Sequence, residues 1–368
     1  MPGTTGRLLA VSDLHVSYPE NREIVASLRP ESPDDWLLVA GDVGEITTDV
    51  EWALGTLSER FATVVWSPGN HELWSHPADP VKLRGEERYR YLVSRCREFG
   101  VVTPEDPYPV WDGPGGPALI VPMFLLYDYT FLPPGALTKA EALAQAVESG
   151  IVCTDEVLLH PDPYPSREAW CRARIDATLK RLEQTDPSLP TVLMNHFPLV
   201  RDPTDILRYP VFAQWCGTTL TATWHTRFRA CAVVYGHLHI PRTTWHNGVR
   251  FEEASLGYPA EWGRRPVPPR IPRQILPAEA GNIGALGGVL YACQFASGTT
   301  SRWRSQSARK SRTCTGPMAW RLSGSPCCSS ATSRPRRTWC RRPSSACTGT
   351  GGAVVIRRIC SLTCAPRC

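Results

Sequence analysis

Residues 281–368 of this 368-residue chain contain no aspartate and no glutamate, yet hold 14 Lys+Arg. The whole chain has 40 Lys+Arg against 35 Asp+Glu and a formal charge of +5. Removing the last stretch leaves 26 basic and 35 acidic residues, so residues 1–280 carry −9 and residues 281–368 carry +14. Nowhere does an apolar run approach the ~18 residues that a spanning helix needs, which excludes such a helix and a membrane role built on one. A secretory leader is not expected, because a strand pattern opens at Arg7 and ends on a functional-looking Asp13. Internal repeats are absent. Cysteine is scarce before residue 281: Cys96, Cys153, Cys171, Cys216 and Cys231 keep no regular spacing. That speaks against a disulfide framework and for reduced thiols in a cytoplasmic protein.

Nine cysteines crowd into residues 281–368, again without pattern. Segments such as SRWRSQSARKSRTCTG show neither helical nor strand periodicity. A basic nucleic-acid tail would explain the arginines but not the cysteines, and a zinc or disulfide module would need ligand-like spacing. GC-rich coding sequence read out of frame yields mostly Arg, Ser, Pro, Ala, Gly, Cys and Trp, and we read this basic Cys/Arg/Ser-rich tail so. The expected organisation is a catalytic domain over 1–280 and a tail over 281–368. The Pro-rich stretch 264–277 reads as a surface-running exit from the core.

Residues 1–280 alternate strand and helix patterns. Short apolar runs at 7–13, 36–42, 63–70, 118–123, 191–196 and 231–237 predict buried strands. Helical patterns lie at 50–60, 86–99 and 167–184, the last opened by Ser166 as an N-cap. Asn247-Gly248 suits the two-residue turn of a hairpin. The expected fold class is layered α/β, with late hairpins adding antiparallel strands.

Five of these runs end in chemistry: Asp13-Leu14-His15, Gly41-Asp42, Gly69-Asn70-His71-Glu72, Asn195-His196 and Gly236-His237-Leu238-His239. Carboxyl ends of strands in open α/β sheets line ligand crevices. Carboxylate, amide and imidazole groups together suit Mn, Fe or Zn better than Ca. Alone, each motif is an ordinary turn; five in order after five strands are not.

In order and spacing these motifs resemble the calcineurin-like metallophosphoesterases. The resemblance implies a layered sandwich of mixed β-sheets flanked by helices, and a binuclear centre of Mn and/or Fe, with Zn possible. One metal would be held by Asp13, His15, Asp42 and His239; the second by Asp42, Asn70, His196 and His237, with Asp42 bridging. Two cations ~3.5–4 Å apart lower the pKa of a shared water and neutralise phosphoryl oxygens. By the same resemblance His71 is not a ligand but would protonate the leaving oxygen or stabilise its charge, and Glu72 would orient its neighbours from behind. The protein-phosphatase branch carries GDxxDRG; here residues 41–47 are GDVGEIT, so its arginine is missing.

Segments beyond the metal motifs, among them ALIVPMFLLYDYTFLP, FAQWCGTTLTATWHTRF and GVRFEEASLGYPAEW, are similar to the actinobacterial, mycobacterial-type 4′-phosphopantetheinyl hydrolases. That resemblance runs from Arg7 to about Pro277 and stops at the compositional break. It implies release of 4′-phosphopantetheine from a serine of acyl or peptidyl carrier proteins. Candidate substrate contacts are Tyr127, Asp128, Trp215 and His225, for which core packing is the competing reading. Arginines 227, 229, 242, 264 and 265 could meet an acidic carrier protein or form a solvated face. A cyclic-nucleotide or other small phosphodiester is the alternative substrate. An inactive scaffold, or nucleic-acid binding through the tail, is disfavoured because every ligand position is filled.

Overall fold

Ten short strands, among the residues described, divide between two sheets that face each other. The computed structural model describes residues 5–265 and 271–278, so the tail read in residues 281–368 lies outside the described residues. The strands are β1 (Leu8–Val11), β2 (Trp36–Val39), β3 (Thr63–Trp66), β4 (Val110–Trp111), β5 (Ala118–Pro122), β6 (Thr191–Met194), β7 (Ala230–Tyr235), β8 (Thr243–His246), β9 (Val249–Glu253) and β10 (Arg273–Leu276). The helices are α1 (Pro19–Ser27), α2 (Thr47–Ser58), α3 (Gly85–Glu98), α4 (Lys139–Glu148), α5 (Asp155–Leu158), α6 (Arg167–Leu182), α7 (Trp224–Arg227) and α8 (Pro259–Trp262).

One sheet runs β10-β1-β2-β3 and the other β4-β5-β6-β7-β9-β8. Both are mixed. β1, β2 and β3 are parallel, as are β5, β6, β7 and β9, while β10, β4 and β8 add antiparallel edges. The alternation of side chains along each strand builds two apolar layers. Leu8 and Ala10 of β1, Leu38 of β2 and Val65 of β3 join Ile120, Val192, Met194, Ala232 and Val234 in the layer between the sheets. Their neighbours Leu9, Val11, Leu37, Val39, Val64 and Trp66 belong to the larger cluster with Val50, Leu54 and Leu57 of α2. A strand buried on both faces has no room for alternating polar residues, which is why these runs read as continuously apolar.

The expected elements form with shifted ends. Ser166 caps α6 by accepting from the Ala169 amide at 3.2 Å. Asn247 and Gly248 both take positive φ, 50° and 78°, as a type I′ hairpin turn between β8 and β9 requires. One reading is overturned. Residues 273–276 of the Pro-rich stretch do not run over the surface: they form β10, paired antiparallel with β1, with Ile275 and Leu276 buried between the sheets. The prolines bracket the strand and mask its apolar pair, since an edge strand tolerates proline at its ends. Among the described residues no helix is long and apolar enough to cross a membrane.

Candidate metal centre

The five strands that lead into the motifs stop before their polar residues, and those residues make the turns. β1 ends at Val11, β2 at Val39, β3 at Trp66, β6 at Met194 and β7 at Tyr235. The turns knit together through main-chain bonds: Asp13 N–H donates to Gly41 O at 2.9 Å, His15 N–H to Asp42 O at 3.0 Å, and Gly236 N–H to His196 O at 2.9 Å. Five candidate ligands sit in the left-handed region, Asp13 (φ 52°), His15 (41°), Asp42 (53°), His237 (70°) and His239 (55°). Non-glycine residues seldom adopt it, and they do so at a cost of about 1–3 kcal/mol each. Close approach is made possible by glycine: a Cβ on Gly236 would lie 1.9 Å from Ser12 Oγ and 2.3 Å from Asp13 Oδ2.

The side chains converge into overlapping groups: Asp13, His15 and His239; His15, Asp42 and His71; Asp42, His196 and His237. Asp42 belongs to two of them. His239 Nε2 lies 3.1 Å from Asp13 Oδ1, and His196 Nε2 lies 3.3 Å from Asp42 Oδ2 and 3.1 Å from Asn70 Oδ1.

The imidazoles are oriented from behind, as metal-ligating histidines are. His196 Nδ1 donates to Ala40 O at 2.9 Å, His239 Nδ1 to Glu261 at 2.8 Å, and His15 Nδ1 to Glu45 at 3.2 Å. Each of these acceptors holds a proton on Nδ1, so the Nε2 atoms point inward. There His15 Nε2 and His239 Nε2 face each other at 3.2 Å, and His237 Nε2 is buried without a partner. Converging Nε2 atoms beside two carboxylates are a cation's donor set, and the residues therefore fit the group.

On their Nε2 atoms His196 and His239 carry protons that a cation would displace. Burial works against ionised Asp13, yet the adjacent His239 holds it below the usual carboxylate range. Asp42 is likewise held low against burial, chiefly by His196. Burial opposes protonated His196 too, but Asp42 raises it to about 9. Burial, with His196 beside it, pushes His237 down to about 3, leaving a neutral imidazole.

His71 stands at the rim. Its side chain keeps 11% of its surface exposed and that of His239 12%, against 0% for His15 and His196, so the centre meets solvent at these two rings. Its Nδ1 is 3.2 Å from Glu45 Oε1 and its Nε2 is 3.7 Å from Asp42 Oδ2. Burial would lower it, but Asp42 and Glu45 outweigh burial and raise its pKa. Glu72 is fully buried and accepts from the amides of Asp42, Val43 and Gly69 at 2.9–3.0 Å. It orients the turns from behind, and burial together with Asp42 pushes its pKa up to about 7.

The expected substrate contacts fare differently. His225 lies on α7, ahead of β7, at the amino end of the strands and thus away from the centre. It packs on Phe251 and meets Asn247 at 3.2 Å. Arg227 and Arg229 share that end, Arg227 paired with Glu183. Tyr127 is fully buried among Tyr129 and Phe197. Asp128 accepts from Thr130 at 2.6 Å and from Thr218 at 3.0 Å, holding a turn. Trp215 is buried and donates to Glu156 at 2.8 Å. All four are buried, Tyr127 at 0%, Trp215 at 1%, His225 at 0% and Asp128 at 7% exposure, as the packing reading requires.

Four residues at the centre escaped sequence reading. Glu45 joins His15 to His71; it occupies the acidic position of GDxxDRG, in a segment read only for its missing arginine. Glu261 holds His239, and Ser255 Oγ bonds Asp13 Oδ2 at 2.6 Å. Asp155 accepts from Asn70 Nδ2 at 2.9 Å and from Trp74 Nε1 at 2.6 Å, and Trp74 stacks on His71 with ring centroids 3.7 Å apart.

Residues 6–241 match the calcineurin-like phosphoesterase family. The chain is 60% identical over 275 residues to the [acyl-carrier-protein] phosphodiesterase PptH of Mycobacterium tuberculosis, covering 75% of this chain and 85% of that one. It also matches the crystal structure of the phosphopantetheinyl hydrolase from the same organism at 59% identity and a TM-score of 0.73, covering 75% of this chain and 98% of that one.

Proposed function

The chain belongs to the calcineurin-like phosphoesterase family, and from that premise we propose that it removes 4′-phosphopantetheine from a carrier-protein serine by hydrolysing the phosphodiester between them. What supports this reading is the 60% identity to an acyl-carrier-protein phosphodiesterase over 275 residues, joined to a convergent ligand cluster. The chain is a metal-dependent phosphoric ester hydrolase. Asp13, His15, Asp42 and His239 would hold one metal, and Asp42, Asn70, His196 and His237 the other. Their donor set suits Mn, Fe or Zn. Once bound, the metal pair supplies an activated water and neutralises charge on the phosphoryl oxygens.

The remaining work falls to the chain. His71, held by Glu45 on Nδ1, presents Nε2 at the open rim and carries a proton for the departing oxygen. As the bond from water oxygen to phosphorus forms, the bond from phosphorus to the serine oxygen breaks and that oxygen takes the His71 proton. Free 4′-phosphopantetheine and apo carrier protein are the products. An alkoxide leaves poorly without such a donor, so His71 matters more here than for a phenolic ester. The five described cysteines are unpaired, four of them buried, which supports a reducing, cytoplasmic setting.

The test is intact-mass measurement of a holo acyl carrier protein after incubation with the full chain and Mn²⁺. The expected result is loss of the prosthetic group. A carrier that stays intact while a cyclic nucleotide is turned over would sink this reading in favour of a small-molecule phosphodiesterase.

A further inference from the structure

The side-chain amide of Asn70 has two faces, and only its oxygen can ligate a cation. We propose that Asp155 is a positioning residue that decides which face points inward. Asp155 Oδ1 lies 2.9 Å from Asn70 Nδ2. The same oxygen accepts from Trp74 Nε1 at 2.6 Å, and an indole N–H can only donate, so this oxygen serves as an acceptor. It therefore takes the NH₂ group of Asn70 and turns the amide oxygen towards the cluster, 3.1 Å from His196 Nε2. With both donors in place the carboxylate cannot rotate away without stranding one of them.

Asp155 is delivered from outside the five motifs. It opens α5, in the long excursion between β5 and α6, and is fully buried. That excursion is pinned to the site's own turn: Ser75 N–H donates to Leu158 O at 2.9 Å, Trp74 pairs with Leu159, and Arg167 of α6 donates to Asp155 O at 2.5 Å. A segment without any ligand of its own thus reaches across to set the orientation of one. Outer partners of metal ligands typically govern affinity by 10–100-fold.

The inference rests on Asn70 being a ligand, and the test separates the two claims. The full-length protein and its N70A, D155L and D155N variants are stripped with EDTA and titrated with Mn²⁺ by calorimetry. Melting curves in EDTA report folding separately from binding. Leucine at position 155 fills similar space but offers no acceptor, so nothing dictates the Asn70 amide. In D155N the Trp74 N–H still demands the oxygen of the new amide, and that oxygen keeps facing Asn70 Nδ2. The expected result is a 10–100-fold weaker Mn²⁺ site in D155L, with binding in the conservative D155N within a few-fold of the parent's. Weakened binding in N70A with Mn²⁺ binding within twofold of the parent in D155L would overturn this inference alone. Undiminished binding in N70A would overturn the ligand assignment and this inference with it. A D155L chain that melts much lower in EDTA yet binds Mn²⁺ as the parent does would reduce Asp155 to a packing role.

Discussion

Gly236→Ala adds one methyl group at the tightest point of the centre. Gly236 has no left-handed backbone, so alanine is conformationally acceptable and only space forbids it. Its Cβ would lie 1.9 Å from Ser12 Oγ, 2.3 Å from Asp13 Oδ2 and 2.8 Å from Ser12 Cβ. Ordinary contact begins near 3.4 Å, so these atoms must retreat by about 0.6 to 1.5 Å. Ser12 has nowhere to go, since its hydroxyl donates to Ala40 O at 2.8 Å inside the inter-strand packing. Asp13 is held by the His237 amide at 3.1 Å, by Ser255 and by His239. Overpacking of this kind costs about 1–3 kcal/mol, or several degrees of melting temperature at roughly 2–4 °C per kcal/mol. A ligand misplaced by ~1 Å costs on the order of 10²-fold in rate. The assay pairs melting curves with and without Mn²⁺ with phosphodiester turnover. The variant should melt lower without metal and gain less than the parent when Mn²⁺ is added. Gly55→Ala in α2 is the control: its Cβ would meet the Phe99 ring at a comfortable 3.8 Å. Helix propensity then predicts a gain of about 0.5–1 kcal/mol. Equal stability and full activity in Gly236→Ala would refute the close-approach argument.

His71→Ala should keep both metals by elemental analysis and lose about 10²–10⁴-fold in turnover of the serine ester; loss of metal would make His71 a ligand. Glu105 is opposed by burial, but Arg174 and the Tyr89 hydroxyl lower its pKa to about 2. A depressed carboxyl contributes stability above its unfolded pKa of about 4.5 and loses it as pH falls towards 2. Solvent screening of this half-buried carboxyl leaves about 1–2 kcal/mol at stake, and Glu105→Gln should flatten the acid limb of a stability–pH curve between those values. Gly248→Ala forces an ordinary residue to φ 78° in the hairpin turn and should cost about 1 kcal/mol in chemical denaturation; a neutral result would argue against the I′ turn. Re-reading the coding sequence of residues 281–368 should reveal a frame error upstream of them. A confirmed frame through Cys368 would sink that proposal.

The sheet core was legible because strands buried on both faces need unbroken apolar runs, as 36–39 and 192–194 have. The candidate ligands were legible because each follows such a run. What stayed hidden had no local signature. β10 looked like an exit because its two buried residues sit among prolines. Glu45, Asp155, Ser255 and Glu261 are single polar residues whose partners lie 22 to 242 positions away in the chain. The burial of Tyr127, Trp215 and His225 was hidden for the converse reason, since an aromatic or a histidine beside a site looks the same in sequence whether it is exposed or buried.

The left-handed backbone at Asp13, His15, Asp42, His237 and His239 bears on how this centre could evolve. At such φ values asparagine, aspartate, histidine and glycine are the residues tolerated, while β-branched side chains are penalised. The turn conformation therefore filters which ligands mutation can offer before any metal is consulted. Drift among carboxylate, amide and imidazole donors stays open at these five positions, whereas recruiting a threonine there would require the turn itself to be rebuilt. A lineage that keeps this backbone has fixed its coordination vocabulary, and new substrates have to be won at the rim.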